Sequence, residues 1–157
     1  LSQIIIQGEN WVETFEKMPK TAINMTIYPD GTHMATTEQN SDWLINYTIN
    51  NDGSISNRQQ FYWIHNPFHQ KQEIKGMVFD TLGNLYVATE LGIQVCDHNG
   101  RVRAILPYPC SSKIDAFAFA GNMLYIKSGN TIYSRKINAT AHKSTDKHIS
   151  VKSQGQG

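Results

Sequence analysis

The sequence predicts an all-β protein built from repeated blocks of short antiparallel strands. Apolar or alternating segments of a few residues are separated by turns rich in Asp, Gly and Asn, which supply the backbone angles that tight turns need. Segment 76–100 is the strongest example, with three such strands and turns at 81–83 and 97–100. Because similar blocks of about forty to fifty residues recur, the pattern indicates a β-propeller.

The first complete block contains four predicted strands, at 22–28, 33–37, 43–49 and 58–64. Its turns, Pro29-Asp30-Gly31 and Asn51-Asp52-Gly53, are typical of β-hairpins. A β-sandwich is the alternative for such strands, but it requires Greek-key crossovers, whereas the connections here are short. The propeller is therefore the favoured fold.

Two further blocks and a partial one complete the pattern. The second block has predicted strands at 74–80, 85–89, 92–96 and 102–106, and the third has strands at 116–120, 123–127 and 131–137 without a clear fourth. Segments 3–7 and 11–15 predict the outer pair of a preceding blade. Residues 1–137 are thus expected to form about three to three and a half blades, and the polar segment 138–157 a mobile tail.

Composition excludes several functional classes. The 157 residues include 14 Lys and Arg against 13 Asp and Glu, a net charge of +1. With no run of five basic residues, nucleic acid is not an expected partner. The longest apolar runs, 4–6 and 116–120, are too short to cross a bilayer as a helix. We expect a soluble protein, and a secreted or periplasmic location is left open.

The two cysteines, Cys96 and Cys110, have neither metal-ligand spacing nor the spacing of a redox pair. They are predicted to be two half-buried thiols. A disulfide remains an alternative if the two residues lie on facing strands.

Several motifs occur in the same order as in a known family. They are Ile-Tyr-Pro-Asp-Gly at 27–31, Lys-Gly-Met-Val-Phe-Asp at 75–80, Gly-Asn-Leu-Tyr-Val-Ala at 83–88 and Gly-Ile-Gln-Val-Cys-Asp at 92–97. Over residues 20–136 the chain resembles the gluconolactonase, regucalcin and senescence-marker family. The resemblance implies a six-bladed propeller with a divalent metal, calcium or zinc, in its central channel and sugar lactones as substrates. By this resemblance the chain corresponds to the carboxyl-terminal half of the family's propeller.

The resemblance also indicates candidate metal ligands. Asn24 matches a ligand Asn of the family if one residue is deleted before the Pro-Asp-Gly turn. The second ligand is an Asp directly before Gly-Met, and Lys75 occupies that position. A cation there repels a divalent ion and removes a ligand oxygen. Glu73, two residues earlier on the same strand face, replaces that ligand only with a register shift.

Two functional hypotheses follow. The first is a gluconolactonase-like hydrolase with an incomplete metal site. The second is a non-catalytic propeller module that binds a carbohydrate or a partner protein, with Trp43 as a possible sugar-stacking residue. In either case half a propeller leaves apolar blade faces to be covered by the missing half, a second copy or an attached domain.

Overall fold

The computed structural model describes residues 4–67 and 72–143, and their regular structure is β-strand. The strands are β1 (Val12–Thr14), β2 (Met25–Ile27), β3 (His33–Thr36), β4 (Trp43–Ile49), β5 (Ile55–Trp63), β6 (Met77–Phe79), β7 (Leu85–Ala88), β8 (Ile93–Cys96), β9 (Val102–Leu106), β10 (Ala116–Ala120), β11 (Met123–Ser128) and β12 (Thr131–Lys136). The predicted all-β class is confirmed, and eleven of these strands lie within or overlap the segments predicted for the three blocks.

The strands form three four-stranded antiparallel sheets, which we call the first, second and third sheets. The first has the order β2-β3-β4-β5, and the second has the order β6-β7-β8-β9. The third has the order β10-β11-β12-β1. Strands β2 and β10 both contact β6, so the leading strands of the three sheets lie side by side. This arrangement of neighbouring blades around their first strands is that of a propeller.

Strand β1 differs from its prediction. Segment 11–15 was expected in a blade preceding the first sheet, but β1 pairs with β12 and supplies the missing fourth strand of the third sheet, with Val12 opposite Ser134. The free edge of β12 offers unpaired N–H and C=O groups, which β1 satisfies. Trp11 anchors the strand, because its indole N–H donates to the Pro107 carbonyl oxygen at 3.0 Å. The described part of predicted strand 3–7 makes only a bridge, from Ile5 to Ile137.

The core lies between neighbouring sheets. One apolar cluster joins the first and second sheets, and its fully buried members include Phe79, Leu85 and Val87. Another joins the second and third sheets around Tyr86, Phe119 and Leu124. The second sheet is therefore covered on both faces, which is why its strands β6, β7 and β8 are buried at every position.

The turn between β6 and β7 is fixed by a buried carboxylate. Asp80 is 1% exposed, and its side chain accepts hydrogen bonds from the backbone N–H groups of Leu82 and Asn84, the side-chain amide of Asn84 and the hydroxyl of Tyr86. Asp80, directly before the predicted turn at 81–83, therefore holds the turn and also connects it to the core.

The segment after β12 returns to the sheets. The backbone N–H groups of Asn138, Ala141 and His142 donate to the carbonyl oxygens of Ile4, Gly121 and Phe79, respectively. Residues 144–157 lie outside the described part of the chain, so a mobile tail at 138–157 stays a prediction. In the described residues we find no helix that is long and apolar enough to cross a membrane.

Candidate functional site

The candidate site is a cavity of about 430 Å³ at one end of the second sheet. In an antiparallel sheet, the start of β6, the end of β7, the start of β8 and the end of β9 all lie at the same end. The residues before β6, the β7–β8 turn and the β9–β10 connection therefore converge there. They bring together side chains that are up to forty-two residues apart in sequence, such as Glu73 and Asp115.

The cavity wall carries both charges and neutral hydrogen-bonding groups. Its residues are Glu73, Lys75, Thr89, Glu90, Leu91, Pro107, Tyr108, Cys110, Ser111, Ser112, Lys113, Ile114 and Asp115. Carboxylates accept hydrogen bonds, ammonium groups donate them, and hydroxyls do both. The cavity can therefore engage a ligand that carries several hydroxyl groups.

Lys75 and Glu73 form an ion pair in this wall. The Lys75 Nζ lies 2.8 Å from the Glu73 Oε1, and the side chains are 27% and 65% exposed, respectively. The backbone N–H of Lys75 donates to the Ala88 carbonyl oxygen, which fixes the position just before β6. A partly exposed pair of this kind contributes at most about 1 kcal/mol. A ligand that offers both residues hydrogen bonds can therefore replace it.

A buried polar network supports the cavity. Gln94 is 0% exposed, and its side-chain amide donates to the Thr89 hydroxyl at 3.1 Å and to the His65 carbonyl oxygen at 2.9 Å. The Tyr108 hydroxyl donates to the Thr89 carbonyl oxygen at 2.6 Å. Burial raises the pKa of Tyr108 above its ordinary value, so this hydroxyl stays protonated. Tyr108 thus ties the β7–β8 turn to the β9–β10 connection, and Gln94 ties it to the β5–β6 connection.

The other candidate residues lie elsewhere. Asn24 is exposed just before β2, and its side-chain oxygen lies 3.4 Å from the Thr37 hydroxyl, which donates to it. Trp43 packs edge-on against Trp63 in the first sheet, with ring centroids 4.8 Å apart. Neither residue lines the cavity that contains Glu73 and Lys75. A sugar-stacking role for Trp43 stays a prediction, and it would require a different site.

The residues present do not fit a divalent metal site. Across residues 4–67 and 72–143, no three His, Cys, Asp or Glu side chains are grouped closely enough to hold an ion. Glu73 is paired with Lys75, and Asn24 lies outside the cavity. Calcium needs six to eight oxygen ligands, and zinc needs about four donors. A full ligand set would therefore need groups from outside the described residues.

Both cysteines are free thiols with different surroundings. Cys96 is 0% exposed in β8, and burial raises its pKa to about 12, whereas Cys110 lines the cavity. Since only the thiolate is nucleophilic, we expect one thiol per chain to react with a disulfide reagent at pH 8 without denaturant. The second should react only after unfolding.

Thiol counting by absorbance tests this prediction, and the Cys110→Ser variant is its control. That variant should lose the reaction seen without denaturant and keep the one seen after unfolding. Two accessible thiols in the folded protein, or none, would contradict the placement of these residues.

Sequence reasoning missed most of the cavity wall. Glu90, Tyr108, Lys113 and Asp115 belong to turns and connections with no recognisable motif, and the topology alone brings them to Lys75. The signal that could have found these residues is the position of their connection within the repeated pattern. The β9–β10 connection follows the second block as the 64–76 connection follows the first, and both lead to the leading strand of the next sheet.

Comparison with solved structures agrees with this architecture, although no family model and no curated relative matches the chain. A gluconolactonase from Xanthomonas campestris superposes with a TM-score of 0.61 at 17% identity, covering 78% of this chain and 40% of its own. Regucalcin from Agrobacterium tumefaciens, described as a calcium-binding protein, gives 0.58 at 14% identity, covering 78% and 49%. A luciferin-regenerating enzyme gives 0.57 at 17% identity, covering 80% and 49%.

The fold is that of the gluconolactonase and regucalcin propellers. The resemblance seen in the motifs of the sequence is confirmed at this level. The chain spans less than half of the length of these solved structures. At such low identity the similarity establishes the lactonase-type propeller fold alone. The chemistry has to be inferred from the residues of this chain.

Proposed function

We propose that this chain forms part of a lactonase-like propeller that binds a neutral, hydroxyl-rich ligand, such as a sugar or sugar lactone, in the cavity at Lys75 without a metal ion. The observation that carries the proposal is the ion pair between Lys75 and Glu73. By resemblance, Lys75 stands where the family has a ligand carboxylate. An ammonium group therefore takes the place of a ligand to the cation.

Electrostatics supports this assignment. Two unit charges 4 Å apart, at an effective dielectric constant near 20, interact by about 4 kcal/mol, and a divalent ion doubles this energy. The Lys75 ammonium therefore opposes a bound cation and also occupies an oxygen of Glu73, the carboxylate nearest to it in sequence. Moving Lys75 away to admit a metal would break this pair.

The mixed charge of the wall supports a neutral polyol more than an anion. Three carboxylates, of Glu73, Glu90 and Asp115, accompany the ammonium groups of Lys75 and Lys113. An anionic ligand would face more negative than positive groups, whereas the hydroxyls of a sugar can donate to the carboxylates and accept from the lysines.

A metal-dependent lactone hydrolase is the second candidate. It is favoured by one observation, the shared fold with a gluconolactonase and a calcium-binding regucalcin. Because the described residues hold no group of three metal-binding side chains, this candidate needs ligands from outside them. On the residues of this chain alone, binding without hydrolysis has the stronger support.

Calorimetric titration with a stable aldonolactone tests the proposal. The expected result is binding that weakens at least tenfold in Lys75→Met, because a charge-assisted hydrogen bond contributes about 1.5–3 kcal/mol and 1.4 kcal/mol is a factor of ten. Asn24→Ala, which changes a proposed metal ligand outside the cavity, should bind like the unchanged chain.

Lactone hydrolysis and metal content, measured on the same preparations, distinguish the two candidates. We expect no bound calcium or zinc and no hydrolysis above the buffer rate, with or without added metal. Metal-stimulated hydrolysis that is lost in Asn24→Ala would overturn the proposal in favour of the hydrolase. If Lys75→Met and the unchanged chain bind the lactone with equal affinity, the lactone does not bind in the cavity at Lys75.

A further inference from the structure

The position of β1 is at odds with the order of the sheets along the chain. Each connection between sheets runs from an outer, fourth strand to the leading strand of the neighbouring sheet: β5 leads to β6, and β9 leads to β10. Strand β1 is the outer strand of the third sheet and leads to β2, the leading strand of the first sheet. By the same rule the third and first sheets should be neighbours, yet the second sheet lies between them.

The connection lengths follow the rule for neighbouring sheets. Thirteen residues, 64–76, join β5 to β6, and nine, 107–115, join β9 to β10. The ten residues 15–24 that join β1 to β2 fall between these lengths. Within a single chain, residues 15–24 must run past the second sheet to reach the first. In a closed ring, the same ten residues would cross only one interface between neighbouring blades.

The face of the first sheet directed away from the second is apolar. It carries a cluster of Ile27, Met34, Ile49 and Ile55, each 6–8% exposed and flanked by Met25 and Tyr47, and among the described residues the cluster draws members from this sheet alone. Successive side chains of a strand point to opposite faces of the sheet. Tyr62 points into the cluster between the first and second sheets, so Trp63 points to the opposite face, where it is 48% exposed. A blade face of this kind stacks on another blade in a propeller.

We propose that two copies of this chain close one propeller ring, each copy placing β1 as the outer strand of the other copy's third sheet. The third sheet of one copy then adjoins the first sheet of the other, so the 15–24 connection joins neighbouring blades like the other two. A two-fold axis generates both contacts at once. This proposal concerns assembly and does not depend on what the cavity binds.

The length of the chain favours a second copy as the partner that covers this apolar face. The chain spans 40% to 49% of the solved propellers that share its fold, so two copies account for most of one ring. Strand β1 is also short, with three residues, and Val12 is 58% exposed, so its contacts can form equally well on the third sheet of another copy. The Trp11 contact to Pro107 is remade in the other copy.

Light scattering and a directed disulfide test the proposal on the full 157-residue chain. At micromolar concentration the unchanged chain should have twice the 17.8 kDa mass of one copy. In a Cys110→Ser background, cysteines at the paired positions Val12 and Ser134 are close enough for a disulfide. With exchanged strands, oxidation of Val12→Cys/Ser134→Cys should produce a covalent dimer on a denaturing gel.

The control is Ala116→Cys/Lys127→Cys in the same background. These positions pair within the β10–β11 hairpin, so their disulfide lies inside one chain in either arrangement and should give a covalent monomer. A monomeric mass for the unchanged chain overturns the proposal. A dimeric mass with Val12 and Ser134 linked inside one chain overturns it as well, because the strands are then not exchanged.

Discussion

Replacing Asp80 with alanine is expected to lower the free energy of unfolding by about 3–5 kcal/mol, since hydrogen bonds to a charged group contribute about 1.5–3 kcal/mol each and buried partners are left unsatisfied. The carboxylate accepts from two backbone N–H groups, from the Asn84 amide and from the Tyr86 hydroxyl. Tyr86 is fully buried, and burial together with the Asp80 charge raises its pKa above the ordinary value, so it remains a donor that needs an acceptor. Guanidinium denaturation at one fixed protein concentration measures the loss.

The matched control is Asp52→Ala. Asp52 occupies the turn between β4 and β5, where it is exposed and accepts from the backbone N–H and hydroxyl of Ser54. Water can replace those bonds, so the denaturation midpoint should move far less than in Asp80→Ala. Equal shifts in the two variants would mean that the Tyr86 contact adds nothing to the turn.

Gly100→Ala is expected to cost about 3 kcal/mol or more, through a steric clash between sheets. Gly100 has a φ of +82° in the turn between β8 and β9, and a Cβ there would collide with the backbone carbonyl oxygen of Phe61 in β5. Because the obstacle is backbone, no side-chain rotation relieves it. The first and second sheets must separate locally, which exposes part of the cluster around Phe79 and Leu85.

Gly129→Ala separates this clash from backbone strain. Gly129 also has a left-handed conformation, with a φ of +60°, but a Cβ there has no atom within 4 Å. It should cost only the conformational penalty, about 1–2 kcal/mol. A Gly100→Ala variant no less stable than Gly129→Ala would contradict the close approach of the sheets.

The sequence predicts the sheets well because their strands are bounded by local signals. Segments around Pro29-Asp30-Gly31 and Asn51-Asp52-Gly53 contain both the turn chemistry and the strand pattern, and the observed strands β2 to β5 follow them. Strand β1 has equally good local character, yet its partner is far along the chain. Nothing near Val12 specifies Ser134, so the predicted pairing of segment 11–15 with segment 3–7 was wrong for a physical reason.

The site was predicted less completely. Lys75 and Glu73 were found through the family motif that begins at Lys75, and the structure places both in one cavity. Asn24 and Trp43 were chosen from local matches, and they lie outside that cavity. Residues such as Tyr108 and Asp115 are brought in by connections whose course depends on how sheets pack, which no pattern of a few residues encodes.

Strand β1 also sets the order in which the described part of the molecule can be completed. It precedes every other described strand, yet its partner β12 follows them all, so the third sheet gains its fourth strand last, from the same chain or, in the proposed dimer, from the other copy. Contacts between strands that are far apart form slowly, because the entropy cost of bringing the strands together comes before any hydrogen bond between them can form. Until then the β12 edge is open to any extended chain nearby. We therefore expect that closure of the third sheet limits the folding rate, while the second sheet, built from consecutive hairpins, forms early.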